Sequence, residues 1–409
     1  MKKIFSTIVM AFAVLTASAY DLTVGTSENG TLSFKVGGET VTTADAGKTV
    51  TVVIAPNDGY VTTAVTATAY TSWGSARAKS LNPSLVDAIT VTGSANEWTF
   101  TMPEANVEVS AEYIIHIPTP AEETAVADKE VKNVAVIMEV VEGQTPVTDS
   151  KTGITTIPVV LTGVDIPAQT DATAANPKAI SVEVQASTQV GKTVFVVKSV
   201  AADAFKSKEP TAVINQVVLP ETEEALPVAE GAMKPNDEPL EVIAPLALLD
   251  DYALMTSLKE NFEAAKLKAE VKTPNLFWTV SSGVDLVLPD GLTAYIVYLD
   301  GSAIRYAEIP EEDLVLAGGR RGIKANNGVL IGGQKGVTYD FVASPGNQKS
   351  GTVPATTDAK SYAGNCLEPV IESKNYAAGS YVVLKNNEFH SIKTNSSKVK
   401  ACKAVLRIK

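Results

Sequence analysis

The sequence predicts a mainly β, multidomain protein. Three observations predict it: short runs in which apolar and polar residues alternate, Gly, Asn and Pro punctuating nearly all of them, and shifts of composition near residues 117 and 274. At 409 residues the chain exceeds what one ordinary core serves. Its 45% hydrophobic and 20% charged content describe a chain that folds. Three modules are expected: a small β-rich repeat-type module, a β-rich middle with a short helix, and a C-terminal antiparallel β sandwich or barrel.

The first stretch, MKKIFSTIVMAFAVLTASA, places Lys2 and Lys3 before an apolar run and ends in Ala17-Ser18-Ala19. That layout predicts a secretory signal peptide over 1–19 and therefore export to the cell surface, the extracellular space or the periplasm. The apolar run is shorter than the roughly 20 residues that a membrane-spanning helix needs. The next one, Val242–Leu249, is short and holds Pro245, so no transmembrane segment is expected. A formal net charge of −12 argues against nucleic acid as a partner, because phosphate contacts need a basic face.

From residue 20 to 116 the runs LTVGT, TLSFKV, KTVTVVIAP and EWTFTM alternate as strands do. Asn29-Gly30-Thr31, Gly47-Lys48-Thr49-Val50, Pro56, Gly59-Tyr60 and Phe100-Thr101-Met102-Pro103, with Val107 and Val109, form an ordered set. This set resembles a divergent internalin-type B repeat, a module of secreted bacterial proteins. The resemblance implies a spacer or adhesive unit. Between Val65 and Asp87 the chain is longer than that module needs, and Tyr70, Trp73 and Arg77 fall in the extra length. These three are the candidate ligand contacts. Exposed on a loop, the rings would stack on a sugar or a partner protein; folded back, they would belong to the core.

Residues 117–131, IPTPAEETAVADKEV, read as a Pro- and Glu-rich linker. In the middle domain, 132–273, VAVIMEVV, TTIPVVLTGVDIPA and AISVEVQAS read as strands, with a hairpin at GQTPVTDSKTG. Val197-Lys198-Ser199-Val200 with Ala204-Phe205, then Val217 to Glu221, then Val228 to Met233, suggest a recurring unit. It resembles degenerate leucine-rich repeats of the BspA type, found in secreted Bacteroidetes proteins. SLKENFEAAKLKAEV, Ser257 to Val271, predicts a helix, with Leu258, Phe262, Ala265 and Leu267 near one face.

The last region, 274–409, is a succession of short apolar strands. The order of its blocks (Gly291 to Tyr295, Ile323 to Ile331, Asn365 with Leu367, Tyr381 to Leu384, Cys402 to Leu406) resembles a C-terminal module recurrent in secreted Bacteroidetes proteins. Within it, IKANNGVLIGGQKGVTYDF has the glycines and lysines of a phosphate loop. It lacks the Gly-x4-Gly-Lys-Ser/Thr spacing, and an alternating strand rather than a helix follows. Turn glycines with positive φ explain it better.

Cys366 and Cys402 either pair, as export would permit, or stay free. With His116 and His390 they do not make a zinc site, and no metal or cofactor is expected. The histidines read as structural or surface residues. Asp250-Asp251, Glu221 with Glu223 and Glu224, and Glu311 to Asp313 read as solvated charge, and Arg320 and Arg321 as a solvated turn. The lysines of the basic C-terminal end, Lys393 to Lys409, read as guards on an edge strand. No catalytic residue is expected. The sequence reads as an exported, non-enzymatic protein that mediates adhesion or display through contacts with host or envelope proteins or glycans. Two alternatives are a carbohydrate-binding accessory protein using its loop aromatics, and a hydrolase with an unrecognised acid pair.

Overall fold

The computed structural model describes residues 19–70, 85–126, 129–234, 240–258, 267–344, 362–395 and 398–408. The signal-peptide stretch before Ala19 lies outside them, as do Trp73 and Arg77. The protein is mainly β, with 53% of the described residues in strands and 3% in helix. No helix among the described residues is long and apolar enough to cross a membrane. The chain divides into two compact units, the first ending at His116 and the second running from Ile117 to Lys409.

The first unit is two sheets with one core. In one sheet, Gly30–Val36 and Thr49–Pro56 pair antiparallel at the centre, flanked by Glu39–Val41 on one side and by Glu97–Thr101 and Thr92–Ser94 on the other. In the other, Asn106–Pro118 pairs antiparallel with Tyr60–Tyr70 and parallel with Ala19–Val24. Strand alternation sends Val50, Val52 and Ile54 inward from one sheet and Val65, Ala67, Val107 and Val109 from the other. Phe100 and Met102, from the FTMP corner, close the same core at 4% and 1% exposure. Each fully buried Val, Ile or Phe there contributes about 1.5–3 kcal/mol.

In the second unit the chain alternates between two ladders of parallel strands. One joins Thr155–Asp165 to Thr193–Val200, with Ile157 opposite Phe195, and a bridge then pairs Val200 with Val228. The other runs from Lys178–Glu183 through Ala212–Val218 and Glu241–Ile243 to Leu267–Lys272. The turns that follow the first ladder's strands carry Ala204-Phe205 and Ala232-Met233, all four at 1% exposure or less. The GQTPVTDSKTG stretch is a hairpin, with Val147 opposite Thr156.

Three local expectations are corrected here. Ala121–Glu123, inside the expected linker, is a strand on the edge of the second ladder, paired with Lys178–Glu183. The expected helix does not reach Val271: Leu267–Lys272 is a strand, and residues 259–266 lie outside the described set. Leu267 and Ala269 are fully buried while Lys268 and Glu270 alternate with them, so pairing on both sides overrides a good local helix propensity. The helix among the described residues is the short Leu249–Leu254. Finally, Leu267–Lys272 pairs with Thr338–Ser344, so one sheet continues past residue 273, the expected module boundary.

Lys268 joins these strands electrostatically. Its ammonium lies 2.8 Å from Glu241, 2.9 Å from Asp340 and 3.4 Å from Glu270. Burial pulls its pKa down, but the bonds from Glu241 and Asp340 outweigh that and hold it above the usual lysine range. Its contribution to stability is therefore complete below the unfolded lysine value and fades only as pH rises through the folded one. Lys268→Met leaves three partly exposed carboxylates facing each other. The expected cost is about 1–2 kcal/mol, read as a lower midpoint in urea unfolding at neutral pH; an unchanged midpoint would rule out this role.

The unit ends in a sandwich of two four-stranded antiparallel sheets. One has the order Phe277–Val280, Val329–Gly332, Thr293–Asp300, Ala303–Glu308. The other has the order Leu367–Val370, Lys403–Arg407, Tyr381–Lys385, Glu388–Ser391. Val297 and Leu330 from the first meet Leu367, Val382, Ala404 and Leu406 from the second. Lys403–Arg407 is an interior strand of its sheet, so its cations guard no edge.

Candidate functional site

Along this sandwich, strand alternation puts Phe277, Gly332, Tyr295 and Tyr306 on one sheet face. Gly332 makes the arrangement possible. A Cβ there would sit 3.0 Å from the Tyr295 ring and 3.1 Å from the Phe277 ring. The gap lets three rings close on one another: Phe277 to Tyr295 at 5.9 Å, Phe277 to Tyr306 at 5.7 Å and Tyr295 to Tyr306 at 5.4 Å between centroids. Two of the three, Phe277–Tyr295 and Tyr295–Tyr306, are edge-to-face pairs, each adding about 0.5–1.5 kcal/mol beyond burial. The cluster is not sealed: Phe277 and Tyr295 are half-buried and Tyr306 is 55% exposed, and Leu276, next to Phe277 in sequence, is 54% exposed.

A cleft of about 170 Å³ opens next to Phe277. Its walls include residues Phe277 and Leu384, Asn275 and Asn386, and Lys385 and Lys403. Asn387 Oδ1 accepts from the Phe277 backbone N–H at 2.9 Å, and Thr279 Oγ1 accepts from the Ala404 N–H at 3.1 Å. These bonds hold the two sheets together at the cleft. Aromatic, asparagine and lysine residues around a cleft can hold an amphipathic ligand, and its lining holds no Asp, Glu or His.

The sequence-predicted residues lie elsewhere. Tyr70 is the last residue of the strand Tyr60–Tyr70, not a loop residue. It is half-buried on the outer face, opposite the buried Ala69 and Ala67, and its hydroxyl lies 3.4 Å from Thr23 Oγ1. Trp73 and Arg77 fall outside the described residues. Cys366 and Cys402 are both free. The register Leu367 to Leu406 and Val370 to Lys403 puts them at opposite ends of one strand pair. That is roughly 16 Å apart by strand rise, too far for a bridge.

The buried polar groups serve the fold. Asp250, in the first turn of the short helix, accepts from Ser282 Oγ and from the Gly283 N–H, each at 2.5 Å. Burial pushes its pKa up, against the opposing pull of those bonds. Cys402 sits at φ +61 with its thiol 2.9 Å from the Leu246 carbonyl, and burial, then Asp250, raise its pKa strongly. Such a thiol is inert. Native protein should therefore react with a thiol reagent at Cys366 alone, which is exposed, and at Cys402 only after unfolding; two fast equivalents in the native state would contradict this packing. Arg321 is bound by Glu311 at 2.9 Å, and Arg320 donates to Ser344 Oγ at 2.9 Å, so neither is simply a solvated turn residue.

The glycine-rich stretch is a strand and a turn. Val329–Gly332 and Thr338–Ser344 are strands, and Gly336, at φ +83, turns the chain between them. Gly328, Gly332 and Gly333 do not have positive φ; at each a side chain from elsewhere in the fold lies close, that of Ala404, the aromatic pair and that of Leu292 respectively. Sequence reading assigned them all to turns and so missed the ring cluster. The usable signal was a glycine inside a strand pattern, which marks close approach.

No family model, curated protein or solved structure matches the chain.

Proposed function

We propose that this is an exported, non-enzymatic recognition protein of the cell surface or extracellular space, mediating adhesion or display, with glycans as its ligands at the C-terminal sandwich. The observation that carries the reading is the half-open cluster of Phe277, Tyr295 and Tyr306, two of whose rings close over Gly332, beside a cleft lined by asparagine and lysine residues. Such rings present flat apolar faces to the C–H side of a sugar, and the neighbouring amides meet its hydroxyls. The signal-type start and the resemblance to secreted Bacteroidetes modules belong to the same reading.

The experiment is binding of the chain from Tyr20 onward to glycan and matrix-protein panels, beside Tyr306→Ala. Tyr306 is 55% exposed, so the variant should keep its fold. The expected loss is about 1–2 kcal/mol, roughly five- to thirtyfold in affinity. Glycan binding that Tyr306→Ala leaves unchanged would move the site off this sandwich. Binding to proteins alone would remove the glycan reading.

A further inference from the structure

We propose that the cleft beside Phe277 selects an anionic sugar, a carboxylated or sulfated residue of a polysaccharide. This rests on the recognition reading above and names its ligand class. The first ground is charge. The chain carries 46 acidic against 34 basic residues. Residues 366–408 reverse that balance, with seven Lys and Arg against three Glu. Two of those seven, Lys385 and Lys403, line the cleft, and both residues are exposed, although partial burial draws the Lys403 pKa below the usual lysine value. Among the described residues neither has a carboxylate within ion-pair distance, in contrast to Lys268 with its three.

The second ground is the mixed chemistry of the walls. Phe277 and Leu384 supply an apolar side, Asn275 and Asn386 supply amide donors and acceptors, and the two ammonium groups supply charge. A sugar acid has all three complements on one ring: an apolar C–H face, hydroxyls and an anion. At about 170 Å³ the cleft is smaller than the ~300 Å³ at which drug-sized pockets begin. It suits one ring, with the next units of a polymer passing over Tyr295 and Tyr306.

The third ground weighs against the obvious competitor, an acidic peptide added as a strand along Phe277–Val280, which is an edge strand of its sheet. The N–H of Phe277 is taken by Asn387 Oδ1, and just beyond the strand the N–H of Ser281 is taken by the Cys402 carbonyl. Both ends of that edge are thus occupied, which disfavours a continuous ladder.

The test is calorimetric titration of the chain with oligogalacturonate, a sulfated galactan fragment, a neutral glucan fragment and oligoglutamate, each at low and at high salt. The carboxylated or the sulfated sugar, whichever fits the cleft, should bind best and weaken at high salt. Lys385→Gln/Lys403→Gln, checked for an unchanged unfolding midpoint, should lose that binding by at least about tenfold, the scale of one lost charge-assisted contact. Tyr306→Ala should weaken all sugars together. If the neutral glucan binds as tightly and the lysine variant is unchanged, the charge assignment is overturned and the recognition reading stands. Oligoglutamate binding as tightly as the sugar overturns the sugar assignment. No binding in any arm overturns both.

Discussion

Gly322→Ala should unfold or severely destabilise the second unit. Gly322 is buried in the strand Gly322–Ile323 and lies opposite Val287, and its N–H donates to the Leu314 carbonyl at 2.6 Å. A Cβ at this position would stand 2.3 Å from the backbone oxygen of Leu286 and 2.2 Å from Leu316 Cδ1. The Leu side chain could rotate away only within a core where Leu286 and Leu316 are 0% and 4% exposed. The oxygen cannot move unless Asp285–Val287 parts from Gly322–Ile323, and Asp285–Val287 also pairs with Thr338–Ser344. Overpacking against a fixed backbone costs about 3 kcal/mol. Gly163→Ala is the control, since its added Cβ would meet Ile137 at an ordinary 3.6 Å. Chemical unfolding of both variants measures the difference. Equal midpoints would mean that the strand pair yields more easily than its hydrogen bonds indicate.

Phe205→Ala should cost about 3–5 kcal/mol, a large part of the roughly 5–15 kcal/mol that holds a folded domain together. Phe205 is 0% exposed, although it belongs to a turn rather than a strand. The turn is fixed by Asp203 at φ +56 and by the Lys206 N–H bonded to the Asp203 carbonyl at 3.0 Å. That geometry drives the ring inward where a turn side chain would ordinarily face water. Phe205→Leu keeps most of the volume and should cost well under half as much. Thermal unfolding of the two variants, side by side, tests whether the turn residue carries core weight. A Phe205→Ala midpoint within a degree or two of the parent would show that it does not.

These residues also show where sequence reading succeeds. The pattern that marked KTVTVVIAP, EWTFTM and TLSFKV as strands is a direct consequence of side chains alternating across a pleated backbone. One face of each is buried and the other wet, so the strands could be placed before the fold was known. Ala204-Phe205 and Ala232-Met233, which the sequence singled out, are buried turn residues, and the structure shows no more than that of a recurring unit. LKAEVK was not legible, because its local preference is helical and the partners that overrule it, Glu241–Ile243 and Thr338–Ser344, are distant in sequence.

The candidate site was legible only in pieces. Aromatic residues were sought in a loop-like insertion, where Tyr70 was singled out, while Phe277, Tyr295 and Tyr306 looked like ordinary strand residues. Nothing in the order of the residues says that rings from three strands will cluster, two of them over one glycine.

The sequence by itself determined the β-rich class, the alternating cores and the break near residue 116, because each of these depends on near neighbours and on burial of one strand face. Only the register of distant strands shows that one sheet continues past residue 273, that the two cysteines stand at opposite ends of a strand pair, and that Phe277 belongs both to a ring cluster and to a cleft that Lys385 and Lys403 line. Those facts depend on which distant strands pair and in what register, and register is set by the packing of whole sheets rather than by any one segment.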